Sequence, residues 1–119
     1  MIDDEELWAL ESLAHFHLMQ DRDDDARALL ESVAALAPHR AYPWFGLGLL
    51  ATRMGDAGLA VQCFAGATER SREPRFALAL AEAHLATHNA DAAAPILRRL
   101  SANADRCGRR AAAILRRLR

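Results

Sequence analysis

Lysine is absent from this sequence, and every basic residue other than histidine is an arginine, a usage typical of a GC-rich genome. Aromatic residues make up only 6% of the chain although 52% of its residues are hydrophobic, so alanine and leucine must form most of the interior. Four prolines and six glycines are too few for a disordered or low-complexity chain. Because the composition is also poor in strand-forming residues, we predict an all-α protein.

Cysteine is scarce as well, since Cys63 and Cys107 are the only two. Their spacing matches neither a disulfide framework nor a metal site, which favours a protein of the reducing cytosol. Long hydrophobic runs are missing, and four acidic residues at positions 3–6 stand where a signal peptide has its basic start. We therefore expect a cytoplasmic protein without a leader or a membrane span.

The charges are unevenly distributed along the chain. Residues 1–31 hold ten acids and two arginines, a net charge of −8, whereas residues 98–119 hold eight arginines and Asp105, a net charge of +7. Such asymmetry is typical of a basic tail for nucleic acid or an acidic partner, or of head-to-tail electrostatic order. No aromatic residue is interleaved with Arg109, Arg110, Arg116 and Arg117, so we favour a solvated arginine face and expect no nucleic acid partner.

A helical pattern runs through residues 43–67. Apolar and small residues recur at helical spacing, a glycine follows at a turn, and a second set recurs at spacings of four and three. This pattern resembles the tetratricopeptide repeat, a helix–turn–helix unit of about 34 residues. The residues that carry the resemblance are Trp44, Leu47, Gly48, Gly55, Ala60, Phe64 and Ala67.

Each residue type in this pattern has a physical role. Gly48 and Ala60 are small, so the two helices of the repeat can approach closely, and Phe64 fills the space between them. Gly55 can adopt the left-handed conformation that ends the first helix.

The pattern recurs at Leu7, Ala41 and Pro74. It predicts an all-α tetratricopeptide-repeat solenoid that forms a single domain over residues 1–119. Its repeats should span residues 7–40, 41–73 and 74–104, followed by a capping helix over residues 105–118. Helices are expected at residues 4–19, 24–36, 41–54, 57–69, 74–87, 92–102 and 105–118.

Local signals predict several helix ends. Asp3 with Glu6 indicates a capping box for the first helix. Asp91 is taken as the N-cap of the sixth helix, with Pro95 distorting its first turn. The inward face of the first helix is predicted to hold Leu7, Leu10, Leu13, Ala14 and His17.

Two segments go beyond the generic repeat, one at residues 44–49 and a Glu-Pro-Arg-Phe segment at residues 73–76, which is followed by residues 81–85. Together with residues 54–56, they resemble the class II chaperones of bacterial type III secretion. These are three-repeat proteins that hold translocator subunits before export. The Glu-Pro-Arg-Phe segment is the most specific of these features, because the general repeat does not require it.

This resemblance implies that the concave surface binds an extended, apolar segment of a secreted translocator subunit and keeps it soluble in the bacterial cytoplasm. Family members usually carry an additional N-terminal helical segment used in dimerisation. This sequence starts at the first repeat helix, so we expect a monomer or a weak homodimer. A needle-subunit chaperone of the same machinery and a general tetratricopeptide adaptor are the alternatives.

In this scaffold, four positions of each first helix look into the concave groove, and we predict a partner-binding surface there. Six of these twelve side chains are large and apolar, which is more than a solvated groove normally exposes. A groove covered by the last helix or by self-association is the alternative. The twelve residues are Trp8, Glu11, His15, Leu18, Tyr42, Phe45, Leu49, Thr52, Arg75, Leu78, Glu82 and Leu85.

The five histidines invite a metal site, but their pattern does not support one. His15 and His17 point to different helix faces, and His84 and His88 have no evident third ligand. No nucleophile with its base, phosphate loop or paired-carboxylate site is evident. We therefore expect no metal, no cofactor and no catalytic activity.

Phe45 is the predicted energetic centre of the groove, because it lies in the middle repeat. Phe45→Ala should weaken binding of the secreted segment by about tenfold or more, since a central aromatic is a typical hot spot. Helicity and melting should stay nearly unchanged if the ring faces the groove rather than the core. A titration of the segment and a melting curve, with Arg116→Glu as the control, measure both effects.

Overall fold

The computed structural model describes residues 1–118 and contains seven α-helices, with no strand among those residues. The predicted all-α class is therefore confirmed, and the helix ends fall within two residues of their expected positions. The helices are α1 (Asp4–Met19), α2 (Asp23–Leu36), α3 (Tyr42–Arg53), α4 (Ala57–Arg70), α5 (Pro74–Ala86), α6 (Ala90–Ser101) and α7 (Arg106–Arg117).

Each helix packs mainly against the helices that precede and follow it in the chain. Smaller contacts join α1 to α3 and α5 to α7, as expected of a series of stacked helix pairs. The molecule measures 49 × 28 × 22 Å. The acidic helices α1 and α2 therefore lie at one end of the series, and the arginine-rich α7 lies at the other.

The core between α3 and α4 depends on two glycines. A Cβ atom at Gly48 would overlap the ring of Phe64, and one at Gly66 would lie 2.7 Å from the ring of Trp44. Two carbon atoms that are not bonded cannot approach so closely. Only glycine at these two positions therefore allows the rings to pack against the neighbouring helix. The predicted role of Gly48 and Phe64 is confirmed.

The three turns within the helix pairs share one backbone geometry. Asp21, Gly55 and His88 have positive φ angles of 57°, 78° and 61°. In each turn, the next residue donates its N–H to a carbonyl five residues back with an N···O distance of 2.9 Å, in the pairs Arg22–His17, Asp56–Ala51 and Asn89–His84. This bond closes a Schellman motif. Gly55 adopts the predicted left-handed conformation without the steric cost that the other two residues carry.

Side-chain caps begin most of the helices. Asp3 and Glu6 form the predicted capping box of α1, and Asp105 caps α7 through the N–H of Gly108. The prediction for α6 was wrong, because Asn89 and not Asp91 accepts the capping hydrogen bond, so the helix begins at Ala90. Asn89 directly follows the Schellman turn, which places its side chain beside the unpaired N–H groups at the start of α6. The cap therefore lies two residues before Asp91, the residue that the position of Pro95 had suggested.

The inward face of α1 also differs from its prediction. The buried residues of this helix are Leu7, Glu11, Ala14 and Leu18. Leu10 and His17 are half-buried, whereas Leu13 is 45% exposed and points away from α2 and α3. The apolar pattern could not reveal this, because α1 carries apolar residues around most of its circumference.

The shared turn geometry exposes a missing cap in the first repeat. Arg22 has φ and ψ angles of −90° and 69°, close to those of the capping residues Asp56 (−96° and 80°) and Asn89 (−112° and 67°). Its own side chain makes no capping hydrogen bond. We expect Arg22→Asn to raise the free energy of unfolding by about 1 kcal/mol, because an asparagine in this geometry can accept the N–H of the third residue of α2, as Asp56 and Asn89 do in their helices.

Urea unfolding of the wild-type chain and of Arg22→Asn measures this gain. Asn89→Ala is the matched control and should lose a similar amount, since it removes a cap from the same position of the third repeat. A destabilised Asn89→Ala variant beside an unchanged Arg22→Asn variant would contradict the prediction.

Candidate functional site

The helix series carries a cleft of about 600 Å³ on the side that holds the predicted groove residues of α1, and we call it the charged cleft. It is formed by α1, by the starts of α3 and α5, and by the links that precede those two helices. The residues that line it are Trp8, Glu11, Ser12, His15, His39, Arg40, Ala41, Tyr42, Arg70, Ser71, Glu73, Arg75 and Phe76.

A second cavity of about 410 Å³, the alanine pocket, opens between α3, α4 and α5. Small and apolar side chains form most of its wall, with Thr52 and Glu82 as its polar groups. Its lining consists of Leu49, Thr52, Gly55, Ala57, Ala60, Phe64, Ala79, Glu82, Ala83 and Ala86. A pocket of this size and composition suits an aliphatic side chain.

Most of the twelve predicted groove residues line one of these two cavities. Trp8, Glu11, His15, Tyr42 and Arg75 line the charged cleft. Leu49, Thr52 and Glu82 line the alanine pocket. The remaining four, which line neither cavity, are Leu18, Phe45, Leu78 and Leu85.

Glu11 forms the floor of the charged cleft through a two-pronged ion pair with Arg40. The Arg40 Nε and Nη2 atoms donate to the two carboxylate oxygens, each at 2.7 Å. Glu11 is only 7% exposed, and the hydrogen bond to it raises the pKa of Arg40 above its ordinary value. The pair therefore ties α1 to the link before α3 and holds the buried carboxylate of Glu11 against the half-buried guanidinium of Arg40 in the cleft.

Tyr42 lies beside this pair at the start of α3. Its hydroxyl oxygen is 3.2 Å from His15 Nδ1, which gives the cleft wall a polar edge that reaches from α1 to α3. Burial raises the pKa of Tyr42, and the positive charge of Arg75 opposes that rise. The hydroxyl is therefore neutral at physiological pH and can donate or accept a hydrogen bond.

The Glu-Pro-Arg-Phe segment places a cation over an aromatic cluster. Arg75 Nε is 2.5 Å from a carboxylate oxygen of Glu73, and the Arg75 guanidinium lies 5.2 Å from the ring centre of Phe45 and 5.1 Å from that of Phe76. The Phe45 and Phe76 rings are 4.7 Å apart. The segment thus builds the part of the concave surface where α3 meets α5, with the arginine stacked by cation–π contact.

Phe45 and Leu18 are more deeply placed than predicted. Phe45 is half-buried, and its ring lies 5.7 Å from that of the fully buried Phe64. Its truncation should therefore cost stability, contrary to our expectation of an unchanged melting curve. Leu18 is 3% exposed because it packs in a core cluster with Ala26 and Leu30 of α2 and Leu50 of α3.

Leu78 and Leu85 are half-buried at the end of the molecule formed by α6 and α7. Both pack against a buried cluster that includes Ala81 of α5, Leu97 of α6 and Ala111 of α7. Arg110 of α7 also donates from Nε to Glu82 at 2.9 Å. These contacts bring α7 against α5, whose other residues line both the charged cleft and the alanine pocket.

Several cleft residues escaped the sequence prediction because they lie on links rather than on first helices. Arg40 and His39 precede α3, and Ser71 precedes α5. Arg70, the last residue of α4, donates to the carbonyl oxygen of Pro38 at 2.6 Å and to that of Gly66 in its own helix at 2.8 Å, and so ties the end of α4 to the link before α3. Helical periodicity carries no signal for such positions.

Metal and thiol chemistry find no support in the part of the chain that the structure describes. No group of three or more potential metal-ligating side chains occurs there. Cys63 is buried, and that burial raises the pKa of its thiol, which disfavours the reactive thiolate. Among residues 1–118, no helix is long and apolar enough to cross a membrane.

Neither protein-family profiles nor curated proteins match this sequence. Solved structures do resemble it. The Yersinia enterocolitica type III secretion translocator chaperone SycD is 24% identical with a TM-score of 0.86, over 98% of this chain and 85% of SycD. PcrH from Pseudomonas aeruginosa is 27% identical with a TM-score of 0.81, over 98% of this chain and 93% of PcrH.

A further structure contains PcrH in complex with the chaperone binding region of PopD. That PcrH chain is 26% identical to the present one with a TM-score of 0.82, over 97% of this chain and 92% of PcrH. The helix order and arrangement described above are therefore those of the translocator chaperones. The predicted resemblance to this class of type III secretion chaperones is confirmed.

The Glu11–Arg40 pair generates a prediction about the stability of the cleft. Glu11→Ala should lower the free energy of unfolding by about 2 kcal/mol, because it removes two hydrogen bonds from a charged and largely buried group. Asp4→Ala is the matched control, since its exposed carboxylate also approaches Arg40, at 3.6 Å, and should contribute little. Equal losses in the two variants, measured by urea unfolding, would contradict a special role for Glu11.

Proposed function

We propose that this protein is a type III secretion chaperone that binds an extended, largely apolar segment of a translocator subunit on its concave surface. The observation that carries the proposal is its close structural match to PcrH, which has been crystallised with the chaperone binding region of PopD. The two cavities, which reach from α1 to α5, supply a surface on which such a segment can lie.

The two cavities divide the recognition of such a segment between them. The alanine pocket removes an aliphatic side chain of the segment from water, which supplies most of the binding free energy. The charged cleft offers hydroxyl, imidazole and guanidinium groups to the backbone of the segment, which has no intramolecular partners when extended. Trp8 is 64% exposed at the edge of this cleft and can cover the bound chain.

Binding of this kind keeps a translocator subunit soluble. An apolar segment held in the groove cannot pair with other copies or with a membrane, so the subunit stays unassembled until export. The same reasoning leads us to propose a cytoplasmic, non-enzymatic protein that acts as a monomer or a weak homodimer. The PopD complex of PcrH favours a translocator segment over a needle subunit as the bound partner.

Trp8 provides a cleaner test of the groove than Phe45, because its ring is exposed and its loss leaves the core intact. Trp8→Ala should weaken binding of the translocator subunit of the same secretion system by about tenfold or more. Unfolding should be unchanged. Co-expression with that subunit identifies the bound region, and titration with the corresponding peptide measures the dissociation constant.

Phe16→Ala is the matched control for Trp8. Phe16 is a similarly exposed aromatic residue of α1, at 52% exposure, but it does not line either cavity. The Phe16→Ala variant should bind the segment with the affinity of the wild-type chain. If both variants lose the same affinity for the segment, or if Trp8→Ala loses none, the charged cleft is not part of the binding surface.

A further inference from the structure

The arginines of α7 differ from those of the earlier helices in their lack of carboxylate partners. The arginines before α6 that form ion pairs within the molecule are Arg27, Arg40, Arg53, Arg70 and Arg75. On α7, Arg110 alone has an acidic partner among residues 1–118. The other arginines of this helix, all of them exposed, are Arg106, Arg109, Arg116 and Arg117.

The one ion pair of α7 places these arginines beside the alanine pocket. Arg110 donates from Nε to Glu82 of α5 at 2.9 Å, and Glu82 is one of the two polar groups in the wall of that pocket. The buried side of α7 holds Gly108 and Ala111 and packs against α5 and α6. The exposed side that carries Arg110 therefore begins at the wall of the alanine pocket.

Two further arginines lie on the same side of α7 as Arg110. Arg106 precedes it by four residues and Arg117 follows it by seven, and both spacings return to one side of an α-helix. We call Arg106, Arg110 and Arg117 the arginine stripe. Arg109 and Arg116 each directly precede a stripe residue, so they are rotated by about 100° around the helix. The stripe rises by about 16 Å, which equals about five residues of an extended chain.

We propose that the arginine stripe binds acidic residues that flank the aliphatic anchor of the bound segment. An extended chain whose aliphatic side chain occupies the alanine pocket passes Glu82 and reaches Arg110 as it leaves on the α7 side. Its carboxylates then meet Arg106 and Arg117. This inference rests on the proposed function and adds the composition of the segment, which is an aliphatic anchor with Asp or Glu within about five residues on one side.

The two charges at the pocket wall determine the order of residues in the segment. The carboxylate of Glu82 repels an acidic side chain at the pocket itself, which reserves the pocket for an apolar one. Because Glu82 already neutralises Arg110, the excess positive charge of the stripe lies at Arg106 and Arg117. An acidic residue is therefore favoured beyond the pocket and disfavoured within it.

The chemistry of α7 favours a carboxylate-bearing peptide over a nucleic acid or a membrane. No aromatic residue lies on this helix to stack on a base. Ile114 and Leu115 pack against the buried cluster of α5, α6 and α7, so the apolar side of the helix is not available to enter a lipid surface. A guanidinium, in contrast, can bind a carboxylate through two parallel hydrogen bonds.

Titration of the full chain with a peptide tests this inference. The probe is the region of the translocator subunit that co-expression identifies as bound. Arg106→Gln with Arg117→Gln should weaken binding of this peptide about fivefold at about 0.05 M salt, because the change removes two partners of its carboxylates. The loss should vanish at about 1 M salt, where charges are screened beyond about 3 Å.

Arg109→Gln with Arg116→Gln is the matched control. It removes the same charge from the first and last turns of α7, but from positions outside the stripe. Glutamine is a good helix former, so both double variants should keep the helicity of the wild-type chain. The control should bind the peptide with wild-type affinity. Equal losses in the two double variants would indicate a general attraction that any polyanion shares, and would overturn the proposal.

Changes in the peptide identify the groups that meet the stripe. Replacing the flanking Asp and Glu residues by Asn and Gln should weaken binding to the wild-type chain about fivefold. The same replacement should cause no further loss with the Arg106→Gln, Arg117→Gln variant, because the two changes remove one interaction. Additive losses overturn the proposal. A bound region without Asp or Glu within about five residues of its aliphatic anchor also overturns it.

The outcome for Trp8→Ala separates this inference from the proposed function. If Trp8→Ala weakens peptide binding while the Arg106→Gln, Arg117→Gln variant binds normally, the proposed function stands and the arginine stripe has no part in recognition. If no region of the translocator subunit binds the wild-type chain, both the proposed function and this inference fail.

Discussion

The seat of the Phe64 ring against Gly48 is the contact on which the rest of the concave surface depends. A side chain at position 48 would overlap the ring, so α3 and α4 would move apart. Phe64 in turn supports the ring of Phe45, which stacks on Phe76. Arg75 lies over the last two rings and lines the charged cleft. A single close approach in the core therefore positions side chains on the surface.

The same ring also forms part of the alanine pocket. The shape of the pocket consequently depends on the position of the Phe64 ring against Gly48. The small residues that line the rest of the pocket leave its space open. This coupling explains why Phe45 is half-buried although it was predicted to face the groove. Its ring packs against Phe64 of the core on one side and against Phe76 and Arg75 on the other.

Electrostatic effects act at two scales in this molecule. Within the cleft, Glu11 and Arg40 neutralise each other in a buried pair, which suits them to a structural role. At the two ends of the helix series, by contrast, charges of one sign accumulate on exposed surfaces. Salt weakens contacts made by exposed charges far more than it weakens a buried pair, so the two effects respond differently to ionic strength.

The local sequence determined where helices begin and end, because caps and turns act over only a few residues. The capping box at Asp3, the left-handed Gly55 and the 34- and 33-residue periods were all readable before the structure was known. The repeat pattern also placed eight of the twelve predicted groove residues on the walls of the two cavities. Asn89 shows the limit of this reasoning, since the choice between two nearby caps depended on the geometry of the preceding turn.

Only the tertiary structure decided which of these residues are accessible. Leu18 is buried in a cluster formed by α1, α2 and α3, and Leu78 and Leu85 are half-buried against a cluster that includes Ala111 of α7. Arg40 lies on the link before α3 and Arg70 at the end of α4, and the pattern that placed groove positions on the first helix of each repeat covers neither residue. The sequence by itself thus determined the helices and the repeat, which follow from local interactions. The depth of each side chain in the groove depends on contacts between helices distant in the chain, so it required the assembled fold.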